Sequence, residues 1–590
     1  MRVIATAGHV DHGKSTLVLA LTGTDPDRWQ EEKTRGLTID LGFAQLSLGS
    51  GQEIAFIDVP GHERFIKNML AGVGGIDACL FVVAATEGWM PQSEEHLRIL
   101  DLLGVERGLI ALTKAALAGP ELQELAALDV RAAVRGTFLE TAEIIPVDVP
   151  AGRGITELTT ALDRLVSSTP PAADRGRPRL WVDRSFPVRG AGCVVTGTLA
   201  GGPLTAGEHL LIEPGAHQVR VRGLQSHYSR LDSAAPGRRL AVNLTGISHR
   251  DVQRGQALVR PGEWQLTGTL DASLTVLGAL GHPVTGRGAY VLHLGSASLP
   301  ARLRVIGASR IEPGEQRAVR IWLADGALVP AVPGDRYVLR ESGRSETVGG
   351  GEILDVDPRL PVSRAVPSRS AARVIAERGW VDVGDLTRLT GEVRDPDVGH
   401  WAVDSAALAA SRAQIIRACR EAGSRGVNLA HFDERERALL AAGIDGICVQ
   451  GDRALDEAAI TGTLSEPAAA ALAALRESPW SPPVLPLSDR GALRELERSG
   501  DAVQSGDIWF AAAAVDAAAA ALARLLDGQP DGFTVAAARD TLGTSRRYVL
   551  PLLARLDATG VTRREGDLRT AGPRMPPVGT DGRGDEQAGR

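Results

Sequence analysis

Apolar runs alternate with amphipathic stretches over the first 170 residues of the chain. Residues 3–7 form an apolar run that enters a glycine-rich turn, and residues 14–21 have the pattern of a helix. Strands that alternate with helices in this way predict a doubly wound α/β domain. The later apolar runs are 54–57, 78–84 and 109–112, and the later helical stretches are 93–103 and 121–134. A proline-rich segment at 169–173 is expected to end this domain.

The pattern changes twice further along the chain. Between residues 180 and 356, short alternating strands are broken by glycine and proline turns, which predicts two small antiparallel β-barrels. After Pro361 the sequence is rich in alanine, leucine and arginine and becomes mostly helical.

An internal repeat in this last part predicts its architecture. Gly500, Gly506 and Asp507 are matched sixty residues later by Gly560, Gly566 and Asp567, and each set follows a leucine-rich helical stretch. Each copy predicts a helix, a glycine stop and a strand-turn-strand wing, and a looser copy runs through residues 439–452. We interpret the region as about four winged-helix modules. A helical bundle with accidental Gly-Asp turns is the alternative.

The expected fold is therefore multidomain: an α/β P-loop domain, two antiparallel β-barrels and a C-terminal array of winged-helix modules. The predicted boundaries are 1–172 for the α/β domain, 173–258 and 259–360 for the barrels, 361–570 for the modules, with the last module at 528–570, and 571–590 for a disordered tail.

Composition narrows the class of protein. Hydrophobic residues make up 44% and charged residues 23% of the 590 residues, no apolar run is long enough to span a membrane, and no signal peptide is visible. Four separated cysteines indicate neither a disulfide framework nor a zinc site. We expect a cytoplasmic, monomeric protein without membrane contact. The net charge of -7 means that any nucleic-acid surface must be local.

The glycine-rich turn carries a phosphate-binding motif. Residues 8–16, GHVDHGKST, match G-x-x-x-x-G-K-[ST] between a strand and a helix. Backbone N–H groups of such a loop surround the phosphates, Lys14 reaches the β- and γ-phosphates, and the Ser15 hydroxyl binds Mg²⁺. The predicted nucleotide-binding residues here are Gly8, Asp11, His12, Gly13, Lys14, Ser15 and Thr16.

The amino-acid sequence of this motif resembles that of the translational GTPases, the family that includes elongation factor Tu. Residues 31–39 resemble the family's first switch, which implies that Thr38 contacts Mg²⁺ and the γ-phosphate of GTP. Residues 58–62, DVPGH, resemble the second switch. The resemblance implies that Asp58 holds Mg²⁺ through a water molecule, that the Gly61 N–H contacts the γ-phosphate, and that His62 orients the attacking water on the ribosome.

The guanine-recognition element departs from the family pattern. The expected Asn/Thr-Lys-x-Asp falls at residues 113–116, so that Thr113 and Lys114 are in place while Ala116 replaces the carboxylate that accepts the guanine N1–H and N2–H. The missing acceptor puts guanine selectivity in question. Asp148 is an alternative acceptor.

The first barrel resembles that of the selenocysteine-specific elongation factors. Residues 181–192, WVDRSFPVRGAG, and 195–198, VTGT, carry the resemblance. It implies an aminoacyl pocket formed by Asp183, Arg184 and Arg239, in which a guanidinium favours an ionised selenol. A surface salt bridge between Asp183 and Arg184 is the alternative interpretation.

The tail extends the resemblance, because elongation factor Tu ends after its second barrel. Residues 533–567 are similar to the last winged helix of the selenocysteine factors, and six arginines face three acidic residues between 541 and 570. The RNA-binding residues predicted here are Arg546, Arg547, Arg563 and Arg564.

Taken with the barrel resemblance, the tail implies a GTPase that delivers selenocysteinyl-tRNA to the ribosome at UGA codons, recruited by an mRNA hairpin. The alternatives are another tRNA-carrying translational GTPase, or an RNA-binding adaptor whose GTPase site has decayed.

Overall fold

The computed structural model describes residues 1–26, 38, 40–61, 68–69, 75–190, 192–227, 229–458, 464–486 and 490–576. The chain divides into two compact units, Met1–Ala407 and Leu408–Arg590. None of the described helices is long and apolar enough to cross a membrane.

The first domain is a six-stranded sheet in the order β2-β3-β1-β4-β5-β6, parallel except for β2 at one edge. Its strands are apolar along their length because both faces of the sheet are covered, and each face has its own hydrophobic core. The strands are β1 (Arg2–Ala7), β2 (Gly42–Ser47), β3 (Glu53–Asp58), β4 (Ala78–Ala84), β5 (Gly108–Thr113) and β6 (Ile144–Pro146). The described helices are α1 (Lys14–Thr22), α2 (Pro91–Leu102), α3 (Ala115–Ala133) and α4 (Ile155–Ser168). The predicted α/β class is confirmed.

The first barrel closes because β11 pairs with both β16 and β12, which completes the ring β11-β16-β7-β9-β15-β12. Alternation of buried and exposed residues along β12 places one set of side chains inside the barrel. The strands of this region are β7 (Arg179–Trp181), β8 (Arg184–Val188), β9 (Gly192–Ala200), β10 (Leu204–Thr205), β11 (His209–Glu213), β12 (His217–Ser226), β13 (Ser229–Leu231), β14 (Ser233–Ala234), β15 (Arg238–Thr245) and β16 (Ala257–Val259).

The second barrel is closed in the order β18-β23-β21-β20-β25-β26. Both barrels are antiparallel, as the spacing of apolar residues and turns predicts. The strands of this region are β17 (Leu266–Thr267), β18 (Thr269–Val276), β19 (Val284–Thr285), β20 (Tyr290–Leu294), β21 (Ala297–Val305), β22 (Arg310–Ile311), β23 (Gln316–Leu323), β24 (Val329–Pro330), β25 (Arg336–Glu341) and β26 (Glu346–Asp355).

The segment that follows the second barrel packs against it. Its elements are α5 (Ala371–Arg378), β27 (Trp380–Asp382), α6 (Val383–Thr390) and β28 (Trp401–Val403). Val374, Ile375 and Leu386 belong to the same hydrophobic core as the barrel residues Leu270 and Ile321. The core of the second barrel therefore extends past residue 360.

The described residues of the second unit contain three copies of the predicted helix, glycine and hairpin. They are the helix Glu434–Ala442 with the hairpin at 447–456, the helix Arg490–Ser499 with the hairpin at 502–511, and the helix Arg546–Ala558 with the hairpin at 562–571. The helix α7 (Ser405–Ala422) spans the boundary between the units. The other elements are β29 (Val427–Asn428), α8 (Glu434–Ala442), β30 (Ile447–Gln450), β31 (Arg453–Asp456), α9 (Glu466–Glu477), α10 (Arg490–Ser499), β32 (Ala502–Ser505), β33 (Ile508–Ala511), α11 (Ala512–Gly528), β34 (Phe533–Thr534), α12 (Val535–Thr541), α13 (Arg546–Ala558), β35 (Thr562–Glu565) and β36 (Leu568–Ala571).

Two details of the tail differ from the sequence prediction. The core around Phe533 and Leu552 also contains Phe510, Leu522 and Leu526, so the last module packs on α11, which begins before residue 528. The predicted disordered tail was wrong at its start, because the backbone N–H groups of Gly572 and Arg574 donate to Val561 and Gly560. Residues 577–590 lie outside the described part of the chain.

Candidate nucleotide-binding site

The loop between β1 and α1 has the backbone of a phosphate cradle. Gly8 has φ +131°, and a Cβ there would lie 2.1 Å from the Val82 carbonyl oxygen, so only glycine fits. Asp11 and Gly13 also have positive φ, and α1 begins directly after Gly13. This geometry presents the N-terminus of α1 and the loop N–H groups at the carboxyl edge of the sheet, where α/β folds bind phosphates.

The side chains of the loop divide into buried and exposed ones. Lys14 is buried, and its Nζ donates to the carbonyl oxygens of Gly8 at 3.1 Å and His9 at 2.6 Å. The His12 ring is fully buried with Nδ1 3.3 Å from the Val82 carbonyl oxygen, whereas Thr16 is exposed. Lys14 therefore lies where a phosphate held by the loop would meet its charge.

Three predicted metal-binding residues converge beside this loop. The Ser15 hydroxyl donates to Asp58 Oδ2 at 2.7 Å and lies 2.9 Å from Thr38 Oγ1. Asp58 is buried, and its Oδ1 accepts from the Thr6 hydroxyl at 2.6 Å. Two hydroxyls and a carboxylate are the oxygen ligands that Mg²⁺ prefers, so these residues fit the ion. Thr6, which orients Asp58, was not singled out from the sequence.

The second-switch glycine also lies against the phosphate loop. A Cβ on Gly61 would approach Lys14 Nζ to 2.6 Å and the Val10 backbone nitrogen to 2.9 Å. His62, the predicted catalytic residue, lies outside the described residues, as do residues 31–37 and 39 of the first switch.

Helix α2 supplies two contacts to the loop that the sequence did not reveal. His96 Nδ1 accepts a hydrogen bond from the Gly8 backbone N–H at 3.1 Å, and Gln92 Oε1 accepts from the Val10 N–H at 3.1 Å. Burial lowers the pKa of His96 to about 3, and that of His12 to about 4. Neutral His96 can accept this bond, so burial keeps the contact intact at physiological pH. The signal in the sequence was a histidine on the apolar face of a predicted helix.

These two histidines predict a stability that falls with acid. An unfolded histidine binds a proton as the pH falls through its ordinary value of about 6.5, whereas the buried rings do not until about pH 4 and 3. The contribution of the two buried histidines to the free energy of unfolding is therefore fully present above about pH 7. At pH 5 it has fallen by roughly 2 kcal/mol per histidine. We expect His96→Asn, which keeps an acceptor for Gly8, to reduce the loss of stability between pH 7.5 and 5 by about 2 kcal/mol, measured by thermal melts at both pH values. The control His209→Asn, at an exposed histidine, should leave the acid-induced loss of stability unaltered. If His96→Asn did not change the dependence of stability on pH, the stabilising role given to neutral His96 would be contradicted.

The residues of the predicted guanine-recognition element lie at the end of β5 and the start of α3. The Thr113 hydroxyl donates to the His12 carbonyl oxygen at 2.7 Å, so that it ties this edge to the phosphate loop. Lys114 has φ 53°, and its Nζ is 2.9 Å from Glu87 Oε1. Ala116 is exposed at the start of α3 and offers no acceptor.

Two of the predicted aminoacyl residues, Arg184 and Arg239, line a cavity of about 1270 Å³ between the first barrel and strands β2 and β3, and Asp183 contacts the cavity only through Arg239. Arg239 forms a bidentate pair with Asp183, with N–O distances of 2.6 and 3.0 Å, and Asp183 is buried. Arg184 instead pairs with Asp40 at 2.9 Å and donates to the Leu41 carbonyl oxygen. The alternative Asp183–Arg184 surface pair is therefore wrong, because each side chain has a partner elsewhere.

Phe43 is a further residue of this cavity that the sequence did not indicate. The Arg239 guanidinium lies 3.6 Å from the centre of its ring, and that of Arg184 lies 5.0 Å away. Stacking on an aromatic face adds to the fixed orientation of both cations. Five of the described lining residues are arginines, whereas one, Asp232, is acidic; the arginines are Arg184, Arg189, Arg222, Arg230 and Arg239.

The predicted RNA-binding arginines are exposed on the last module. Arg546 and Arg547 begin α13, while Arg563 and Arg564 lie on the wing strand β35. Arg569 is different, since it is buried and pairs with Asp557 at 3.0 Å. Removing this internal pair leaves the local excess of positive charge unchanged.

Comparisons with known proteins agree with both ends of the chain. Residues 1–168 match the family model "Elongation factor Tu GTP binding domain", and residues 524–571 match "Elongation factor SelB, winged helix". A selenocysteine-specific elongation factor of Desulfomicrobium baculatum is 41% identical over 368 residues, which cover 62% of this chain and 57% of that protein. One of Escherichia coli K12 is 35% identical over 409 residues, 66% of this chain and 64% of that protein.

A solved structure matches over the full length. The crystal structure of a bacterial selenocysteine-specific elongation factor, EF-Sec, aligns with a TM-score of 0.67 and 26% identity over 97% of this chain and 99% of that one. Over its whole length this chain is similar to the selenocysteine-specific elongation factors. Its sequence alignments to the two curated members of the family cover less than two thirds of their length.

A second family structure bears on the nucleotide site. SelB of Methanococcus maripaludis, crystallised with the GTP analogue GppNHp, aligns with a TM-score of 0.53 and 25% identity over 60% of this chain and 79% of that one.

Proposed function

We propose that this chain binds GTP and Mg²⁺, carries selenocysteinyl-tRNA to the ribosome at UGA codons, and is recruited by an mRNA hairpin through its C-terminal winged helices. The observation that carries the proposal is the arginine-lined cavity. One of its walls is formed by β2 and β3, and β3 ends at Asp58 of the candidate Mg²⁺ site. GTP hydrolysis, with His62 as the residue that orients water, belongs to the same proposal, as does a cytoplasmic location.

The phosphate loop, Ser15, Thr38 and Asp58 would hold the nucleotide and its ion. Bound Mg²⁺ neutralises charge on the β- and γ-phosphates. The residues of the chain position these groups: Lys14 lies beside the loop carbonyls, and Thr6 fixes the Asp58 carboxylate at 2.6 Å. Gly61 lies against the same loop, which supports the proposal that its N–H contacts the γ-phosphate of GTP.

The charge of the cavity fits an aminoacylated tRNA end. The terminal nucleotides of a tRNA carry phosphates, and a selenol is ionised at neutral pH whereas a serine hydroxyl is not. Arg239 is held by Asp183 and by the Phe43 ring, so little conformational entropy is lost when it meets an anion. A selenolate therefore gains a charge-assisted contact that a seryl group does not.

The cavity is connected to the nucleotide site by a short path. Thr38 lies 2.9 Å from the Ser15 hydroxyl, and two residues later Asp40 pairs with Arg184, a lining residue of the cavity. A change in the position of Thr38 on loss of the γ-phosphate would thus be transmitted to Arg184 within three residues of chain. This arrangement supports release of the tRNA after hydrolysis.

The last module suits an RNA hairpin. Exposed arginines at the start of α13 and on the wing form two sets that are free of the internal Arg569–Asp557 pair. Phosphates bind at such positions, and extruded loop bases supply sequence choice.

A hydrolysis-protection assay with selenocysteinyl-tRNA and seryl-tRNA tests the pocket. Arg239→Ala alone would leave Asp183 buried without its partner, so we pair it with the double variant Asp183→Ala/Arg239→Ala. We expect the preference for selenocysteinyl-tRNA to fall by about 10- to 100-fold in both, the value of a charge-assisted hydrogen bond. Arg220→Ala, an exposed arginine of the same barrel outside the cavity, is the control. Discrimination equal to that of the parent protein would place the aminoacyl site elsewhere.

A further inference from the structure

The base-recognition element lacks its carboxylate at position 116. Ala116 is exposed at the start of α3, two residues after Lys114, and its methyl group accepts no hydrogen bond. A guanine base presents two adjacent donors, N1–H and the 2-amino group, and burying them without an acceptor costs on the order of 1 to 3 kcal/mol. A guanine-selective site therefore needs an acceptor from another part of the chain.

The loop after β6 lies against this element. Strands β5 and β6 are parallel neighbours, so their carboxyl ends share one edge of the sheet. The Ala115 backbone N–H donates to the Val147 carbonyl oxygen at 3.3 Å, and the Val147 N–H donates to the Leu112 carbonyl oxygen at 2.8 Å. Asp148 directly follows Val147 in the chain. Its backbone thus lies beside the position where Ala116 leaves no acceptor.

The Asp148 carboxylate is buried but weakly bonded. Asp148 is 7% exposed. Its Oδ1 accepts from the Ala151 N–H at 3.4 Å, and its Oδ2 lies 3.8 Å from the guanidinium of Arg153, whose own side chain is 72% exposed. Charge-assisted hydrogen bonds to a carboxylate are shorter, about 2.7 to 2.9 Å. Most of the acceptor capacity of this buried group is therefore available to a ligand.

The loop that carries Asp148 is held in place. Asp148 and Arg153 exchange two backbone hydrogen bonds, of 2.9 and 3.0 Å, which close the turn between them. Gly154 follows with φ +78°, and a Cβ there would lie 2.1 Å from the Pro146 carbonyl oxygen. A carboxylate on such a turn is preorganised, so recognition of a base requires little rearrangement.

We propose that Asp148 is the specificity-determining residue of the nucleotide site, and that its carboxylate accepts the N1–H and 2-amino hydrogen bonds of guanine in place of a residue at 116. The inference rests on the proposed GTP binding and names the group that selects the base. Adenine is rejected because its N1 is an acceptor and would face a carboxylate oxygen. Inosine loses one of the two hydrogen bonds, and xanthine places a carbonyl oxygen where guanine has its amino group.

Nucleotide titrations of the full chain with GTP, ITP, XTP and ATP test this assignment. The parent protein should bind GTP about tenfold more tightly than ITP, and at least 100-fold more tightly than XTP and ATP. In Asp148→Asn the amide donates to the xanthine 2-carbonyl oxygen, so GTP affinity should fall at least tenfold while XTP affinity rises. Asp163→Asn, a change of the same kind on α4 at a half-buried carboxylate that accepts a hydrogen bond from Ser50, is the control and should alter neither value.

A second variant separates base recognition from a structural role of Asp148 in its turn. Asp148→Asn/Ala116→Asp restores a carboxylate at the other position and should recover the preference for GTP, which repair of the turn alone would not do. GTP-selective binding that is unchanged in Asp148→Asn would overturn the assignment and leave the proposed function standing. Equal binding of all four nucleotides by the parent protein would overturn it as well, and binding of none of them would defeat the proposed function itself.

Discussion

A chain that ends at Leu360 is expected to lose the cooperative folding of its second barrel. Val374, Ile375, Val381, Leu386, Leu389 and Ala402 are buried in the core of this barrel although they follow its last strand. Burial of one aliphatic side chain contributes about 1.5 to 3 kcal/mol, so their loss amounts to roughly 10 kcal/mol, comparable with the whole stability of a domain. Differential scanning calorimetry should show the barrel transition lowered by more than about 10 °C, or absent.

An ion pair and a hydrogen bond add to the dependence of the second barrel on residues beyond 360. Arg373 of α5 pairs with Asp355 at 2.9 Å, and Arg177, in the connection between the first domain and the first barrel, donates to the Thr387 carbonyl oxygen at 2.8 Å. A chain that ends at Ala407 retains all of these contacts and is the control, with an expected melting profile like that of the corresponding part of the full chain. Equal melting temperatures for the two truncated chains would show that the shared core has no energetic role.

Replacement of Asp58 by asparagine is expected to abolish most of the magnesium dependence of nucleotide binding. The amide of the asparagine keeps the shape of the carboxylate and can still accept from the Thr6 hydroxyl, so the fold should persist. It loses the negative charge that Mg²⁺ requires beside the Ser15 and Thr38 hydroxyls. We expect GTP affinity in Mg²⁺ to fall about 100-fold, which corresponds to about 2.7 kcal/mol, and the residual affinity to change little when EDTA is added.

A matched carboxylate in the same domain provides the control. Asp77 accepts a 2.7 Å hydrogen bond from the Val3 backbone N–H away from the phosphate loop, and burial raises its pKa. Asp77→Asn should therefore preserve the effect of EDTA seen in the parent protein. An Asp58→Asn protein whose GTP affinity still depends on Mg²⁺ as the parent's does would remove Asp58 from the metal site.

The fold class followed from local patterns because each element carries its own signal. Uninterrupted apolar runs identified β1, β4 and β5, whose two faces are both covered, and alternating residues identified barrel strands such as β12. Repeated glycines identified the winged-helix hairpins because their positive φ ends a helix or turns a wing, as at Gly500 and Gly506. The shared core beyond residue 360 was not visible, because an amphipathic helix does not specify the surface that it covers.

The residues of the candidate site likewise fall into two groups, those that the sequence identified and those that only the tertiary structure revealed. The phosphate loop is one contiguous motif with one backbone conformation, so its residues could be named from the sequence. Phe43, His96 and Gln92 are ordinary residues in sequence, and their contacts with Arg239 and the loop arise from strand order and helix placement. Asp148 was no more than an alternative acceptor until the hydrogen bond between Ala115 and Val147 placed its loop beside Ala116.

The sequence by itself determined the elements, their order and the position of the phosphate-loop motif, because periodicity, turn residues and a contiguous loop motif act over a few residues. The tertiary structure alone decided the partners of each charge: Asp183 with Arg239, Arg184 with Asp40, and Arg569 with Asp557. An arginine reaches several acidic residues with similar local energy. Its choice depends on which carboxylate the fold buries nearby, since a buried charge must be paired, and burial is a property of the packed chain.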